Sequence, residues 1–335
     1  MPRSTIVVPA YNVASTIAET LESLLVQTDP DFEIIVVDDG SSDQTIDVVF
    51  GLIARHDDPR IQVIRQKNRG LAGAHNTGIH AAAGEYIGFC DADDLWVPEK
   101  LAAHVAHLDR RPDVGISFSG SAMIDENSQL TGLAQQPRLT GINAAHVLLR
   151  NPIGNGSAPV MRKAALEDIR YRPAHETERD WWFDETFRQS DDIEGWARFA
   201  ATTDWKIEGV PGLLTHYRIN PHGLSANVGR QLESWERMLA KLATIAPDLV
   251  RRHGAQARAY QHRYLCRRAI ASRDAATAGG LLRKLVCGSA HPLFQEPVKT
   301  VSTLAAAAAL TLAGPVRYAN VENTMLGMRR AISVA

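Results

Sequence analysis

The stretch TIVVPAYNVASTIAETLESLLVQTDPDFEIIVVDDGSSD, Thr5–Asp43, decides the fold. It opens on a short β-branched run, Thr5–Val8, and nears its close on a second, Glu33–Asp38. Both read as strands buried on both faces. Between them Ile17, Leu21, Leu24 and Leu25 recur at helical spacing, and Thr16 and Glu19 are placed for a capping box. Strand, helix, strand is the repeating unit of a parallel sheet.

The same alternation continues outward. Ile46, Val49, Phe50 and Ile53 predict a helix after the second strand, and Ile61–Ile64, Tyr86–Cys90 and Val114–Phe118 predict further parallel strands. Leu71–Ala83 reads as a helix closed by Gly84, and Pro98 suits the first turn of a helix running to Arg110. The expected architecture is a doubly wound, mostly parallel α/β sheet. From Gly120 to Arg218 the pattern is mixed, with a helix through Asp192–Ala201. After Asn227 the chain reads helical: Leu232, Trp235, Leu239 and Leu242 share a face, Pro247 breaks that helix, and Asp248–Ser272 and Asp274–Leu285 form a hairpin.

At 335 residues, a prior of about two domains applies. The net charge of −2 speaks against a nucleic-acid partner, but it conceals a division. Arg251–Ala335 holds 13 basic and 3 acidic residues, +10, whereas Met1–Val250 holds 23 and 35, −12. Cys90, Cys266 and Cys287 suit a reducing compartment and exclude a disulfide framework. No h-region or cleavage site follows Arg3, so no signal peptide is expected. The longest uncharged stretch, Thr300–Val316, contains Pro315 and is marginal for a bilayer span. The expectation is a cytoplasmic protein without a transmembrane helix.

Three acidic clusters stand out: Asp29–Asp43, Glu85–Glu99 and Glu178–Glu194. A solvated face is the plain explanation of any such cluster. Two of these, however, follow strands directly: Asp38-Asp39 after the second, and Asp91-Ala92-Asp93-Asp94 after the fourth. Open α/β sheets bind ligands at the carboxyl ends of their strands. Carboxylates converging there repel one another unless a cation neutralises them. An Asp-x-Asp pattern suits Mg²⁺ or Mn²⁺, which bind through one or two carboxylates plus substrate phosphates.

With these residues in place the chain resembles family 2 glycosyltransferases of GT-A fold. The resemblance rests on VVPAYN (Val7–Asn12), VVDDGSSD (Val36–Asp43), AGEYIGFCDADD (Ala83–Asp94), FDETFRQSDDIEGWARFA (Phe183–Ala200) and THYRIN (Thr215–Asn220). It spans residues 4 to 225 and implies a catalytic domain over 1–225. Residues 1–119 would form the nucleotide-sugar half and 120–225 the acceptor half, with a helical basic extension over 226–335.

The resemblance also implies roles. Pro9, Ala10, Tyr11 and Asn12 would wrap the nucleotide base, with Tyr11 stacking, and Asp39 rather than Asp38 would accept hydrogen bonds from it. Asp93 would be the main metal ligand, and Asp91 would hold the ribose or the metal's waters, with Ala92 between them. The metal would stabilise the departing nucleotide. Asp192 would be the general base that takes the acceptor's proton in an inverting displacement, with Asp191 in support. Arg218 would reach the diphosphate. Asp94, His75, which stands where relatives often carry Arg, and His216 have no assigned role.

The implied donor is a nucleotide-diphosphate sugar, UDP-linked in most relatives, and the implied acceptor a glycan or lipid-linked hydroxyl. The Gln-x-x-Arg-Trp element of processive synthases is missing, so non-processive transfer is expected. The +10 tail would either dock at an anionic membrane or pack as a helical cap. Two other functions compete: a nucleotidyltransferase, whose Gly-rich basic loop is absent from PAYNVAS, and a non-catalytic sugar-nucleotide binder, against which intact Asp91, Asp93 and Asp192 argue.

Overall fold

The structure, a computed structural model, describes residues 1–220 and 227–334, with side chains as far as Tyr318. The expected domain boundary at 225–226 lies outside the described residues. Two compact units are present, the first built mainly from Met1–Val147 and Asn151–Ala226, the second from Leu148–Arg150, Asn227–Ala243 and Pro247–Ala335.

The first unit is organised by a nine-stranded sheet. Its parallel core contains β1 (Ser4–Ala10), β2 (Phe32–Asp38), β3 (Ile61–Arg65) and β4 (Tyr86–Phe89) in the order β3-β2-β1-β4. β1 and β2 are buried along their whole length, as their unbroken apolar runs require. Alternate residues serve opposite faces. Ile6, Val8, Ile34 and Val36 pack with Leu21 and Leu24 of α1 (Ile17–Leu25), Val49 of α2 (Thr45–His56) and Leu101 and Val105 of α4 (Lys100–Arg110). Val7, Ile35, Val37 and Phe89 pack with Ala72 and Ile79 of α3 (Gly70–Ala81) and Trp196 and Phe199 of α7 (Asp191–Thr202).

Two sequence expectations are corrected here. The fifth strand, β6 (Val114–Ile124), does not extend the parallel core beside β4. The short β8 (Val160–Arg162) lies between them, antiparallel to both, and β9 (Lys206–Arg218) then runs parallel to β6, so the sheet is mixed. β8 has three residues, too few for periodicity to reveal. The capping box also does not form. Thr16 makes no side-chain cap, and Glu19 accepts hydrogen bonds from Ser128 and Arg218 instead. Two long-range donors outcompete one local N–H.

The remaining elements of this unit are β5 (Leu95–Trp96), which pairs with β9, β7 (Leu130–Gln135), which pairs with β6, and the short helices α5 (Ala144–Arg150) and α6 (Lys163–Glu167).

The second unit is helical. α8 (Val228–Ile245) buries Trp235, Met238, Leu239 and Leu242. α9 (Pro247–Ala271) and α10 (Ala275–Val286) form the expected hairpin. It turns through Arg273 at φ 58° and is restarted by Asp274, whose carboxylate accepts from the Thr277 N–H at 3.0 Å. After α11 (His291–Gln295), α12 covers Pro297–Val334 and is interrupted at Gly314, φ 75°, just before Pro315. The stretch Pro297–Tyr318, which includes this interruption, is long and apolar enough by length and composition to cross a bilayer, more than the uncharged stretch alone implied.

Candidate active site

Because β1, β2 and β4 are parallel neighbours, the loops that follow them open on one edge of the sheet. The loop after β1 is knitted to the loop after β2. Asn12, in the left-handed region at φ 54°, accepts from the Ser42 N–H at 2.8 Å, and its own N–H donates to Ser41 Oγ at 3.0 Å. Pro9 and Ala10 are the last residues of β1, and the Ala10 carbonyl accepts from the Asp39 N–H at 2.8 Å. Asn12 thus shapes the loop, while Tyr11 stands 52% exposed beside it.

Asp38 and Asp39 diverge. Asp38 accepts from the Ser41 N–H and from Arg65, so it organises the turn and does not cap α2. Asp39 is buried and receives three hydrogen bonds, from Gln66 Nε2 (2.7 Å), Arg69 N (2.7 Å) and Gly70 N (2.8 Å). The last two are N–H groups at the start of α3, where a helix prefers a carboxylate. Gly70 adopts φ 80°, which a side chain resists.

Asp91, Ala92, Asp93 and Asp94 form a tight turn after β4, closed by the Asp94 N–H to the Asp91 carbonyl at 3.0 Å. The Asp91 N–H donates to Ser157 Oγ at 2.9 Å. A Cβ on Gly156 would meet Asp91 Oδ2 at 3.3 Å, so this glycine lets the Asn155–Ser157 backbone lie against the carboxylate. Burial pushes the Asp91 carboxyl up to about 6; His75 opposes the rise, and Asp93 and Asp191 add to it. Burial also raises Asp93, against the pull of Arg218. Asp94 is fully buried and held well above the usual carboxylate range by burial, then by Asp93 and Asp91.

Asp191 and Asp192 open α7. Burial, then the adjacent Asp191 charge, pushes the Asp192 carboxyl up to about 7, and Asp91 contributes to the rise. His75 of α3 joins the two halves, with its Nδ1 3.7 Å from Asp191 Oδ2. It is buried edge-on to Phe89, with Phe183 also against it, at centroid distances of 5.2 and 5.3 Å. The fold therefore brings Asp91, Asp93, His75, Asp191 and Asp192 to one place from three distant parts of the chain. Among the described residues, Asp91 Oδ1, Asp94 Oδ2, Asp191 Oδ2 and both His75 ring nitrogens are buried without a hydrogen-bond partner.

Those orphaned oxygens test the cation expectation. No three His, Cys, Asp or Glu side chains among the described residues gather closely enough to cage a metal alone. One or two hard oxygens left without a protein partner suit Mg²⁺ or Mn²⁺, which complete their shells with water and phosphate. The donor set fits the ion.

Arg218 is placed differently from expectation. Its guanidinium donates to the carbonyls of Asp93 (2.7 Å), Asp125 (2.9 Å) and Glu126 (3.2 Å), to Ser128 Oγ (3.0 Å) and to Glu19 (2.9 Å). Its backbone N–H donates to Asp94 Oδ1 at 2.8 Å. So buried and occupied a guanidinium cannot also serve a diphosphate; it staples the acidic turn in place. His216 lies on β9 opposite Leu95 of β5, where burial lowers its pKa.

Sequence reasoning missed the residues that hold the two halves together. Asn76 accepts from the N–H groups of Trp182 and Phe183 and donates to Glu185. Arg69 pairs with Glu176, Glu178 and Glu185, and Arg179 bonds Thr77, Gly73 and Glu185. Arg188 lies over Gly70, so close that its guanidinium would clash with an added Cβ, and it lines a cleft of about 500 Å³ with Asn68, Arg69, Glu176 and Thr186. Local periodicity carries none of these contacts, although the GNGS run at Gly154–Ser157 signals a loop of unusual freedom.

Residues 5–170 match the family model described as glycosyl transferase family 2. The succinoglycan biosynthesis protein ExoO of Rhizobium meliloti is 33% identical over 57% of this chain and 54% of its own length. WfaP of Escherichia coli, named as a UDP-Glc:alpha-D-GlcNAc-diphosphoundecaprenol beta-1,3-glucosyltransferase, is 37% identical over 39% of this chain and 51% of its own. The chain thus spans about half the length of these curated relatives. Among solved structures, the mannosyltransferase PcManGT of Pyrobaculum calidifontis, in complex with GDP-Man and Mn²⁺, superimposes with a TM-score of 0.57 over 93% of this chain and 87% of that one, at 23% identity.

Proposed function

From the premise that this chain belongs to glycosyl transferase family 2 and has the GT-A fold, we propose that it transfers a single sugar, with inversion, from a nucleotide-diphosphate donor to an acceptor hydroxyl in bacterial-type polysaccharide or glycoconjugate synthesis. One observation carries this reading. Asp91, from the nucleotide side, lies close enough to Asp192, from the acceptor side, to raise its proton affinity, and His75 of α3 stands 3.7 Å from the neighbouring Asp191.

Tyr11 offers a free ring for base stacking. Asp39 receives three hydrogen bonds and has capacity for a fourth, which a uracil N–H would supply, so UDP-sugars are the expected donors. A divalent cation, Mn²⁺ or Mg²⁺, held by Asp93 and Asp91 with diphosphate oxygens, would supply Lewis-acid stabilisation of the leaving nucleotide. Arg188 takes the diphosphate role that Arg218 cannot, since it lines the cleft over the α3 N-terminus.

In the reaction the acceptor oxygen bonds to the anomeric carbon as the bond from that carbon to the diphosphate oxygen breaks, and the hydroxyl proton passes to Asp192. A carboxyl near 7 is well matched to accept that proton at neutral pH. Asp191 orients the site through His75. The acceptor is a glycan or lipid-linked hydroxyl, and the enzyme works at the cytoplasmic side of the membrane, to which its basic extension is drawn.

The test is a panel of nucleotide sugars with Mn²⁺, scored for nucleotide release and product, with Asp192→Asn alongside. UDP release from a donor and its loss in the variant are expected. No release from any donor, or normal transfer by Asp192→Asn, overturns the mechanism.

A further inference from the structure

Among the described residues, the second unit carries an apolar face that is exposed and not packed against another element. On the first part of α12, Thr300, Thr303, Ala307 and Leu310 are buried. The opposite side presents Val298, Val301, Ser302, Ala305, Ala309 and Leu312, all exposed and, at a rise of about 1.5 Å and a turn of about 100° per residue, within one stripe of the helix. Val298 is 81%, Val301 53% and Leu312 88% exposed, and Phe294 of the preceding α11 is 79% exposed. From Val298 to Leu312 the stripe covers 14 helical steps, about 21 Å at 1.5 Å per residue. A continuous exposed apolar strip of this kind marks an interaction surface.

Charge identifies the occupant. Arg251–Ala335 holds 13 basic against 3 acidic residues, and of those three Glu296 is already bound to Arg150, Arg263 and Lys299. Arg267, Arg283, Lys284 and Lys299 are exposed on the same unit. An apolar helix face within a strongly cationic body fits a surface that is apolar below and anionic above. We infer that the Phe294–Leu312 face of α11 and α12 docks on an anionic phospholipid bilayer, with the helix lying in the interface and not across it. A spanning helix would carry its neighbours inward, because α12 is held lengthwise. Arg263 of α9 donates to Thr300 Oγ1 at 2.8 Å, and Gly279 of α10 lies against Thr311. α9 and α10 carry exposed arginines that the hydrocarbon would not accept. In the interface, the apolar face enters the headgroup boundary while the basic residues meet anionic lipid.

This deepens the proposal of a membrane-side acceptor and rests on it for its purpose. Vesicle binding is therefore measured with no donor or acceptor present, so a failed transfer assay leaves this inference standing, and failed binding leaves the transfer reading standing. The full chain is sedimented with vesicles of phosphatidylcholine and of phosphatidylcholine with one quarter phosphatidylglycerol. Binding at least tenfold stronger to the anionic vesicles is expected, weakening as salt rises. Val298→Asp with Leu312→Asp should reduce binding at least tenfold without changing the melting temperature, since both side chains face solvent. Ser302→Leu, which completes the stripe, should strengthen it; this gain cannot come from misfolding. Three outcomes overturn the inference: no preference for anionic vesicles, undiminished binding by the double variant, or a dimer of the wild type in solution that the double variant loses, which would mean a second copy covers the stripe.

Discussion

Two groups of acidic residues, alike in sequence, meet opposite fates in the first unit. Glu176, Glu185 and Glu194 each face a guanidinium: Arg69 pairs with Glu176 and Glu185, Arg179 with Glu185, and Arg198 with Glu194 at 2.8 Å. Asp91, Asp94, Asp191 and Asp192 face one another, and among the described residues three of them keep an oxygen buried without a partner. Burial without compensation is costly, so a fold that tolerates it in one place and avoids it a few residues away is holding that place for a ligand. The paired acids build the scaffold, and the unpaired ones are those to which the proposed function assigns the cation and the acceptor.

If that contrast is real, the two groups must respond oppositely to neutralisation. The largest effect is expected at Asp192: Asp192→Asn should lower kcat by about 10²–10⁴, the usual range for a general base, with donor KM little changed and thermal stability held or raised. Steady-state kinetics and a melting curve check both halves of the statement. Arg198→Ala should do the reverse. It strands the Glu194 carboxylate and the carbonyls of Ile169 and Trp182, at a cost of about 3–5 kcal/mol in urea unfolding.

Arg188→Ala sharpens the assignment of the diphosphate contact. A lost charge-assisted hydrogen bond is worth about 1.5–3 kcal/mol, so donor KM should rise tenfold or more while stability stays unchanged. Arg218→Ala should instead unfold the acidic turn and lower stability, which thermal scanning would detect.

pH dependence follows from the signs. Asp91 and Asp192 titrate near 6 and 7 in the folded protein, above the usual carboxylate value of about 4. Between those limits the native state binds more protons than the unfolded one, so stability without ligand should fall as pH rises from about 4 to 7 and level off above. Mn²⁺ with a nucleoside diphosphate should raise the melting temperature more at pH 8 than at pH 5.5, because ligation needs the ionised carboxylates. kcat should climb with pH through about 7 as Asp192 ionises. The smallest effect is expected at Asp94→Asn, which removes a carboxyl that burial, then Asp93 and Asp91, hold well above the usual range; its melting temperature should shift by only a few degrees, upward at pH 8.

Much of this was legible in the chain. The four parallel strands, the helices between them and the strand-end placement of Asp39, Asp91 and Asp93 follow from apolar runs and their spacing, which depend on near neighbours in sequence. The α9–α10 hairpin was equally plain, because Pro247 and Asp274 mark its starts. The insertion of β8, the rewiring of Glu19 and the true partners of Arg218 were not. Arg218 meets groups more than ninety residues away, and β8 has no periodicity to detect.

Sequence alone thus determined the parallel core, the helices around it and which side chains could carry the chemistry, since those depend on side-chain type and local period. Tertiary structure alone decided which carboxylates are paired and which are left open. Compensation is a property of distances: His75 reaches Asp191, and Arg69 reaches Glu185, only once α3 and the segment leading into α7 are packed together.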